Sequence, residues 1–209
     1  MTRGVFISFE GGEGAGKSTQ ARALADRLRA EGKSVLLTRE PGGSPGAEEI
    51  RHLLVTGEPG RWTPETETLL HFAARADHLA RTVRPALARG DWVLCDRFVD
   101  STTAYQGYGQ GIGLPDIDWL TRFIVGDDGP DLTFILDVPV EMGLSRAAAR
   151  TGDENRYERM DRTFHERLRA AFQDIARQNP ARCLVLDATR PPAQTGMIIW
   201  DAVRSHLLP

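Results

Sequence analysis

The chain has few cysteines, no histidine cluster and no long apolar run. Its two cysteines, Cys95 and Cys183, lie in apolar segments that read as buried strands, so we expect core thiols rather than a disulfide, a metal pair or nucleophiles. The five histidines show no metal-ligand spacing, which leaves no case for zinc. No apolar run reaches the roughly 20 residues of a membrane span, and the first residues carry no signal-peptide pattern. We therefore expect a cytoplasmic protein without a membrane partner.

Lysine is also scarce. The formal net charge is −3, and a surface that binds nucleic acid usually shows as a basic excess, so we do not expect nucleic acid as a partner. Lys17 and Lys33 are the only lysines among 26 basic residues. Lys17 stands in a glycine-rich segment and is therefore a candidate functional residue, whereas most of the arginines are expected to solvate helix faces.

That glycine-rich segment, residues 11–18, reads GGEGAGKS and fits the pattern G-x-x-x-x-G-K-[ST] directly after the apolar residues 5–9. This order predicts a strand, a tight phosphate-binding loop and the start of a helix. Glycines let backbone N–H groups point at a phosphate chain, Lys17 adds a mobile positive charge, and Ser18 can hold Mg²⁺. The residues predicted to bind the nucleotide polyphosphate are Gly11, Gly12, Glu13, Gly14, Ala15, Gly16, Lys17, Ser18 and Thr19.

Continuously apolar segments alternate with helical patterns along the whole chain. The segments span residues 5–9, 34–38, 92–95, 132–137 and 183–187. Buried strands separated by helices predict an α/β fold in which helices cover both faces of a parallel sheet. At 209 residues the default is a single domain, residues 1–209. Pro85 should kink or divide a long helix that begins at Pro64, and the glycine-rich residues 107–113 predict a flexible loop.

Charged residues stand where the predicted strands end. The first strand leads to Glu10, the second to Arg39, and the third to Asp96 and Arg97. In an open parallel sheet the ligand lies beyond the carboxyl ends of the strands. An acidic residue after an apolar run is typical of a magnesium-associated carboxylate, so Ser18 and Asp96 are the predicted metal residues.

Two arginines, Arg39 and Arg97, flank the same predicted rim. A second substrate that itself carries a phosphate would explain both of them. Such an acceptor is already largely dianionic at neutral pH, because its second pKa is about 6, and it needs no catalytic base. The residues therefore favour a kinase with a phosphorylated acceptor over a simple ATPase.

Short motifs are spread over almost the whole chain. They are Phe9-Glu10-Gly11, Arg39-Glu40-Pro41-Gly42-Gly43, Phe72-Ala73-Ala74-Arg75, Asp96-Arg97-Phe98, Ser101-Thr102-Thr103-Ala104-Tyr105-Gln106, Pro130-Asp131-Leu132-Thr133 and Asp187-Ala188-Thr189. Their sequences and their order resemble the thymidylate kinase family. The resemblance implies a P-loop nucleoside-monophosphate-kinase fold with five parallel strands, and a homodimer. It also implies transfer of the γ-phosphoryl group of ATP to dTMP, with Mg²⁺ as cofactor, giving ADP and dTDP in dTTP synthesis.

The resemblance further implies roles in the acceptor site. Arg39 and Arg97 would hold the phosphate of dTMP. Phe72 would stack on thymine and Arg75 would donate to a thymine carbonyl, since an aromatic plane and a donor fork suit a flat base. Taken without the family, Phe72 reads as core and Arg75 as a solvated helix residue, while Tyr105 is undecided. The remaining implied pocket residues are Ser101 and Gln106 at the base and Tyr105 at the deoxyribose, where it disfavours a 2′-hydroxyl.

A lid at about residues 150–159 is implied as well. Glu13 resembles the bacterial variant in which the phosphate loop has no arginine and the lid supplies the catalytic one. Arg156 best matches the family's Arg-x-Glu, and Arg146 and Arg150, four residues apart, could reach the ATP side. A solvated basic helix remains the alternative for most lid arginines. The predicted catalytic set is Lys17, Arg97, Arg156 and Glu10, and Arg146 joins the ATP-binding residues.

Other functions stay open at this point. A kinase for another nucleoside monophosphate would need a base pocket different from Phe72 and Arg75. A GTP-switched binding protein is disfavoured because the chain has no Asn-Lys-x-Asp guanine motif, its only asparagines being Asn155 and Asn179. A purely structural nucleotide-binding module would not explain a second phosphate site.

Overall fold

A computed structural model describes residues 3–149 and 155–208, and a five-stranded sheet forms its centre. The strands are β1 (Phe6–Glu10), β2 (Val35–Arg39), β3 (Trp92–Asp96), β4 (Leu132–Asp137) and β5 (Cys183–Asp187). They lie in the order β2-β3-β1-β4-β5, and every neighbouring pair is parallel. The predicted α/β fold with five parallel strands is confirmed.

Helices connect the strands and cover the sheet. They are α1 (Lys17–Ala30), α2 (Pro45–Val55), α3 (Pro64–His78), α4 (Arg84–Ala88), α5 (Val99–Thr102), α6 (Leu114–Ile124), α7 (Val140–Ala148), α8 (Arg162–Gln178) and α9 (Pro192–Leu207). Two π-helical segments, Leu79–Val83 and Thr103–Gly109, follow α3 and α5. Pro85 lies at the start of α4, directly after the π-helical segment Leu79–Val83, so the hydrogen-bonding pattern changes before it while the chain stays helical from Pro64 to Ala88. A proline cannot continue the hydrogen-bond ladder because it has no N–H.

The core has a layer on each side of the sheet. All five residues of β1 are buried, and successive side chains of a strand point to opposite faces. Phe9 packs in one layer with Leu24 of α1 and Ile199 of α9, whereas Phe6 packs in the other with Val83 and Phe98. Burial on both faces explains why the strands read as continuously apolar.

The strand order brings three strand ends together. Phe9 of β1 and Arg39 of β2 are both register partners of Asp96 in β3. β3 and β4 lie on opposite sides of β1, so the loop after β1 opens into the crevice where ligands bind in folds of this kind.

The glycine-rich residues 107–113 differ in part from their prediction. Residues 107–109 belong to the π-helical segment Thr103–Gly109, whereas residues 110–113 form a turn and irregular chain before α6. A Cβ on Gly107 would lie 2.8 Å from Cδ2 of Leu114, and one on Gly109 would lie 2.6 Å from Cε2 of Phe164. These two glycines therefore allow close packing against α6 and α8.

The predicted lid is described only in part. Residues 150–154, including Arg150, lie outside the described residues, and residues 155–159 form turns before α8. The single-domain boundary of residues 1–209 stays a prediction. Among the described helices, none is long and apolar enough to cross a membrane.

Candidate active site

Glycines with positive φ shape the loop after β1. Gly11 and Gly14 have φ of 129° and 65°, and a Cβ on Gly14 would lie 1.9 Å from the carbonyl oxygen of Gly143 in α7. Glycine alone tolerates both this conformation and this approach. Because α1 begins at Lys17, the backbone N–H groups of the loop gather at a helix N-terminus, where a phosphate binds favourably.

Lys17 lies on this loop. Its Nζ donates to the carbonyl oxygens of Gly11 at 3.1 Å and Gly12 at 2.7 Å. Burial and the positive charge of Arg97 lower the pKa of Lys17 to about 8, and the charge of Glu13 opposes them. At neutral pH the buried ammonium group is therefore still mostly charged beside the place where a polyphosphate would bind.

Ser18 and Asp96 supply a pair of hard oxygen atoms at the loop. Ser18 Oγ donates to Oδ2 of Asp96, the last residue of β3. Mg²⁺ usually takes one or two protein oxygens and completes its shell with water and substrate phosphates. The described residues contain no group of three or more His, Cys, Asp or Glu side chains that could hold a metal ion. The pair therefore fits a magnesium ion that binds together with a nucleotide.

Arg97 is fixed between the phosphate loop and the segment after β3. Its backbone φ is 69°, in the left-handed region that non-glycine residues rarely adopt. Its Nη1 donates to the Gly11 carbonyl at 3.0 Å and to Ser101 Oγ at 3.1 Å. Its Nη2 donates to Glu13 Oε1 at 2.9 Å, and the Tyr105 hydroxyl donates to the same oxygen at 2.7 Å.

Glu13 is the anion that holds this arrangement. Burial disfavours its charged form, but the charges of Arg97 and Lys17 outweigh burial and lower its pKa to about 2. The sequence predicts Glu13 among the residues that bind the nucleotide polyphosphate. In the structure its carboxylate contacts Arg97 and Tyr105.

Glu10, predicted as catalytic, is fully buried beneath the same segment. Its carboxylate accepts hydrogen bonds from the Phe98 N–H at 2.7 Å and the Ser101 hydroxyl at 2.5 Å. Burial and the nearby charge of Asp100 raise the pKa of Glu10 to about 7. These contacts make Glu10 a group that positions the segment carrying Arg97.

A cavity of about 560 Å³ opens at the carboxyl ends of β1, β2 and β3. The predicted site residues on its wall are Glu13, Lys17, Ser18, Arg39, Arg75, Asp96, Arg97, Ser101, Tyr105 and Gln106. The phosphate loop and the predicted acceptor pocket are therefore parts of one space.

Arg75 is a buried guanidinium on this wall, with 2% of the residue exposed. Its Nε donates to Glu40 Oε2 at 2.8 Å and its Nη2 to Thr102 Oγ1 at 3.0 Å. The guanidinium carbon lies 4.9 Å from the Phe72 ring centroid and 5.2 Å from that of Phe98. Nη1 has no hydrogen-bond partner among the described residues, so this group is free to donate to a ligand.

Phe72 lies behind Arg75. Only 2% of it is exposed, and the described wall of the cavity does not include it. The preceding residue, His71, is on the wall. The structure thus brings Arg75 but not Phe72 to the cavity, and the stacking of Phe72 on a base stays a prediction that this geometry does not support.

The predicted lid arginine, Arg156, is also away from the phosphate loop. It is 3% exposed and its Nη2 donates to Oε2 of the fully buried Glu67. Its Nη1 donates to the Leu54 carbonyl at 2.8 Å. Glu67 Oε1 accepts from Gln106 Nε2 at 2.8 Å, which ties the end of the lid to the base pocket. In this arrangement Arg156 anchors residues 155–159, and its catalytic role stays a prediction.

The other predicted arginines are more exposed. Arg39 is on the cavity wall, and its Nη2 donates to Glu48 Oε2 at 3.1 Å. Arg146 donates from Nη1 to the Ala188 carbonyl at 3.1 Å, near the end of β5. Arg159 is on the wall and pairs with Glu58.

Sequence reasoning missed several residues of the wall. They are Glu40, Arg51, His71, Thr102 and Tyr157. Two of them had a usable signal. Glu40 lies inside the Arg-Glu-Pro-Gly-Gly motif, and His71 is four residues before Arg75, which puts both side chains on one face of α3.

The extent of the cavity beyond the phosphate loop indicates the class of protein. A hydrolase or a switch needs space for a nucleotide and water, whereas this cavity extends past the loop to arginines that suit a second phosphorylated substrate. With the five-stranded parallel sheet, this defines a P-loop kinase of the nucleoside-monophosphate type.

Comparison with known proteins gives the family. The thymidylate kinase family model matches residues 9–197. The thymidylate kinase of Caulobacter vibrioides is 60% identical over 207 residues, 99% of each chain, and that of Bradyrhizobium sp. strain BTAi1 is 55% identical over 98% of this chain and 92% of its own. The crystal structure of thymidylate kinase from Ehrlichia chaffeensis superposes with a TM-score of 0.78 at 36% identity, covering 96% of this chain and 99% of that one. The chain belongs to the thymidylate kinase family, and the predicted family and enzyme class are confirmed.

Proposed function

We propose that the protein transfers the γ-phosphoryl group of ATP to the phosphate of dTMP, giving ADP and dTDP. One observation carries the proposal: a single cavity contains both the phosphate loop and a buried arginine, Arg75, whose Nη1 has no partner among the described residues. Membership of the thymidylate kinase family supports dTMP as the acceptor.

On the donor side, the loop N–H groups and Lys17 would bind the polyphosphate of ATP. A phosphate oxygen of dTMP attacks the γ-phosphorus, and the bond from that phosphorus to the oxygen bridging it to the β-phosphate breaks, so that ADP leaves. Lys17 and Arg97 would stabilise the charge that spreads over the transferring group. No general base is required, since the acceptor phosphate is already largely deprotonated at neutral pH.

Magnesium is the proposed cofactor. The Ser18 hydroxyl and the Asp96 carboxylate fit it because both are hard oxygens at the loop. When bound, the ion would neutralise negative charge on the phosphates. Ser18 and Asp96 would hold it, and Lys17 would bind the same phosphates.

On the acceptor side, Arg39 and Arg97 would hold the dTMP phosphate, and Arg75 would donate from Nη1 to a carbonyl of the base. Gln106 also supports recognition of a base, because its Oε1 is buried without a partner among the described residues. Tyr105 is fixed by its bond to Glu13 and would exclude a 2′-hydroxyl. Ser101 would keep Arg97 in place.

For the lid, we propose that an arginine acts on ATP. Arg156 remains the family-based candidate, although its buried pair with Glu67 favours an anchoring role, and Arg146 would contribute to the ATP side. A kcat loss in Arg156→Lys at full stability would favour catalysis by Arg156.

We also propose a homodimer. Trp119 and Phe123 on α6 are 58% and 71% exposed, and their rings stack with centroids 5.5 Å apart. Leu69 on α3, a helix that packs against α6, is also 58% exposed, and exposed apolar side chains on two packed helices suit an interface with a second copy. Trp119→Glu should give a monomer in sedimentation analysis, and an unchanged oligomer would remove this surface as the interface. The cytoplasmic location stays a prediction.

The first experiment is ADP release with ATP and Mg²⁺ against a panel of dTMP, dUMP, UMP, CMP, AMP and GMP. We expect a strong preference for dTMP. Preference for another monophosphate would keep the kinase and change the acceptor, and no transfer to any acceptor would overturn the proposal.

A further inference from the structure

His71 forms part of the cavity wall, next to the buried Arg75. The two residues are four apart on α3, so their side chains lie on the same face of the helix, one turn apart. Phe72 is displaced from that face and is in contact with the guanidinium of Arg75 from behind. The flat side chain available to a ligand at this turn of α3 is therefore the imidazole of His71.

A hydrogen bond fixes this imidazole. His71 Nε2 lies 2.9 Å from the hydroxyl oxygen of Tyr157, and the two ring centroids are 6.2 Å apart. Tyr157 packs edge-on against Tyr105, with centroids 5.3 Å apart. His71 is thus held in one orientation by a residue of the segment that Arg156 anchors, and both tyrosines are on the same wall.

We propose that His71, held by Tyr157, is the stacking ring of the acceptor pocket and contacts the face of the nucleobase in place of Phe72. The inference rests on the proposed function, because it assigns a contact to the base of the acceptor nucleotide. Histidine rings stack on bases as other aromatic side chains do, and a ring already oriented loses little freedom on binding.

The charges around His71 suit a neutral ring. Burial and the positive charges of Arg75, Arg156 and Arg97 lower its pKa to about 3. The imidazole therefore stays uncharged across physiological pH and adds no further cation to a wall that already has arginines. Tyr157 is the partner of one ring nitrogen, and the partly buried ring remains among the residues that line the cavity.

The test compares neighbouring positions of α3. His71→Ala removes the ring, His71→Phe keeps a flat ring without the bond to Tyr157, and Phe72→Leu removes the ring behind Arg75. Binding of dTMP is measured by calorimetry without ATP, KM for ATP is measured separately, and thermal unfolding is followed for each variant. The imidazole resonances of His71 in the wild type are recorded by NMR with and without dTMP.

We expect His71→Ala to weaken dTMP binding about tenfold, with KM for ATP changed less than about twofold. His71→Phe should recover most of the loss, and Phe72→Leu should lower Tm while weakening dTMP binding less than His71→Ala. The imidazole resonances should shift when dTMP is added.

Unchanged dTMP affinity in His71→Ala, or a tenfold loss in Phe72→Leu alone, would overturn the inference and leave the proposed function standing. A wild-type protein that does not bind dTMP would overturn both.

Discussion

The two ends of the cavity are built in different ways. At the phosphate end, glycines with positive φ shape one loop, and Lys17 donates to the carbonyl oxygens of that same loop. At the base end, the wall combines α3, the π-helical segment Thr103–Gly109 and the described part of the lid, through Arg75, Gln106 and Tyr157. The phosphate end therefore depends on local sequence, and the base end depends on contacts between residues far apart in the chain.

Because of this difference, substitutions at the two ends should affect binding and stability to different extents. A change at the phosphate end alters one short segment whose conformation its own glycines determine. A change at the base end alters a buried network in which Glu67 joins Gln106 and Arg156, so it affects stability as well as binding. Substitutions at the two ends should therefore separate effects on turnover from effects on stability.

Arg156→Ala should have the largest effect, a loss of about 3–5 kcal/mol in the free energy of unfolding, because it leaves the Glu67 carboxylate buried and unpaired. Chemical denaturation measures the loss. The control is Arg159→Ala, whose pair with Glu58 is exposed and should be worth less than about 1 kcal/mol. Equal, small losses in both variants would contradict the anchoring role of Arg156.

Lys17→Ala should lower kcat by about 10² to 10³-fold, since the lost charge acts mainly in the transition state. Tm should fall modestly, because the ammonium group donates to the loop carbonyls of Gly11 and Gly12 and is one of two charges that keep Glu13 ionised. Lys33→Ala is the matched control, as Lys33 is exposed and is the one other lysine in the sequence. Turnover equal to that of the control would exclude Lys17 from the reaction.

The same contrast explains what the sequence could predict. The strands β4 and β5 occur at the predicted residues, and the phosphate loop leads into α1 at Lys17, because apolar runs and a contiguous motif are local signals. Cys95 and Cys183 are buried and free, as predicted. Composition and pattern are sufficient for features of this kind.

Features that depend on distant partners were not predictable in this way. Nothing in the sequence around Gly109 shows that a side chain would not fit there. The constraint comes from Phe164, 55 positions later, which packs against this glycine. Arg156 resembles a lid residue, yet Glu67 provides a buried partner. At the base end, the motif containing Phe72 and Arg75 identified α3 as the helix that lines the cavity. Which side chains of α3 reach the cavity depends on tertiary packing, such as the contacts of Arg75 with Phe98 and Glu40.

Glu13→Gln should cost about 3 kcal/mol of stability at pH 7. The folded pKa of Glu13, about 2, is below the ordinary value of 4.5, so its contribution is present above pH 4.5 and is lost as the pH falls towards 2. The pKa of Glu10 is shifted in the opposite direction, so its effect on stability has the opposite dependence on pH. Its folded pKa, about 7, is above 4.5, so the stability of the wild type relative to Glu10→Gln should fall as the pH rises from 4.5 to 7.

Denaturation of both variants and the wild type at pH 5 and pH 8 measures this pair of effects. The difference between wild type and Glu13→Gln should be nearly constant over that range, because both pH values are above 4.5. The difference for Glu10→Gln should change by about 2–3 kcal/mol in favour of the variant at pH 8. A pH-independent difference for Glu10→Gln would mean that Glu10 is not a buried acid of raised pKa.

Arg75→Ala should lower kcat/KM for dTMP by about 10 to 100-fold, the usual cost of losing a hydrogen bond from a charged donor, and should change KM for ATP less than about twofold. Stability will fall too, because Glu40 loses the partner of its Oε2, so kinetics must be measured well below the Tm of the variant. Arg75→Lys keeps the charge but lacks the planar fork that donates to Glu40, Thr102 and a base together, and it should not restore dTMP use. If Arg75→Ala weakened the use of dTMP and of ATP equally, the role of Arg75 would be to maintain the whole cavity and not to bind the base. The separation between the phosphate end and the base end would then fail at the residue on which it most depends.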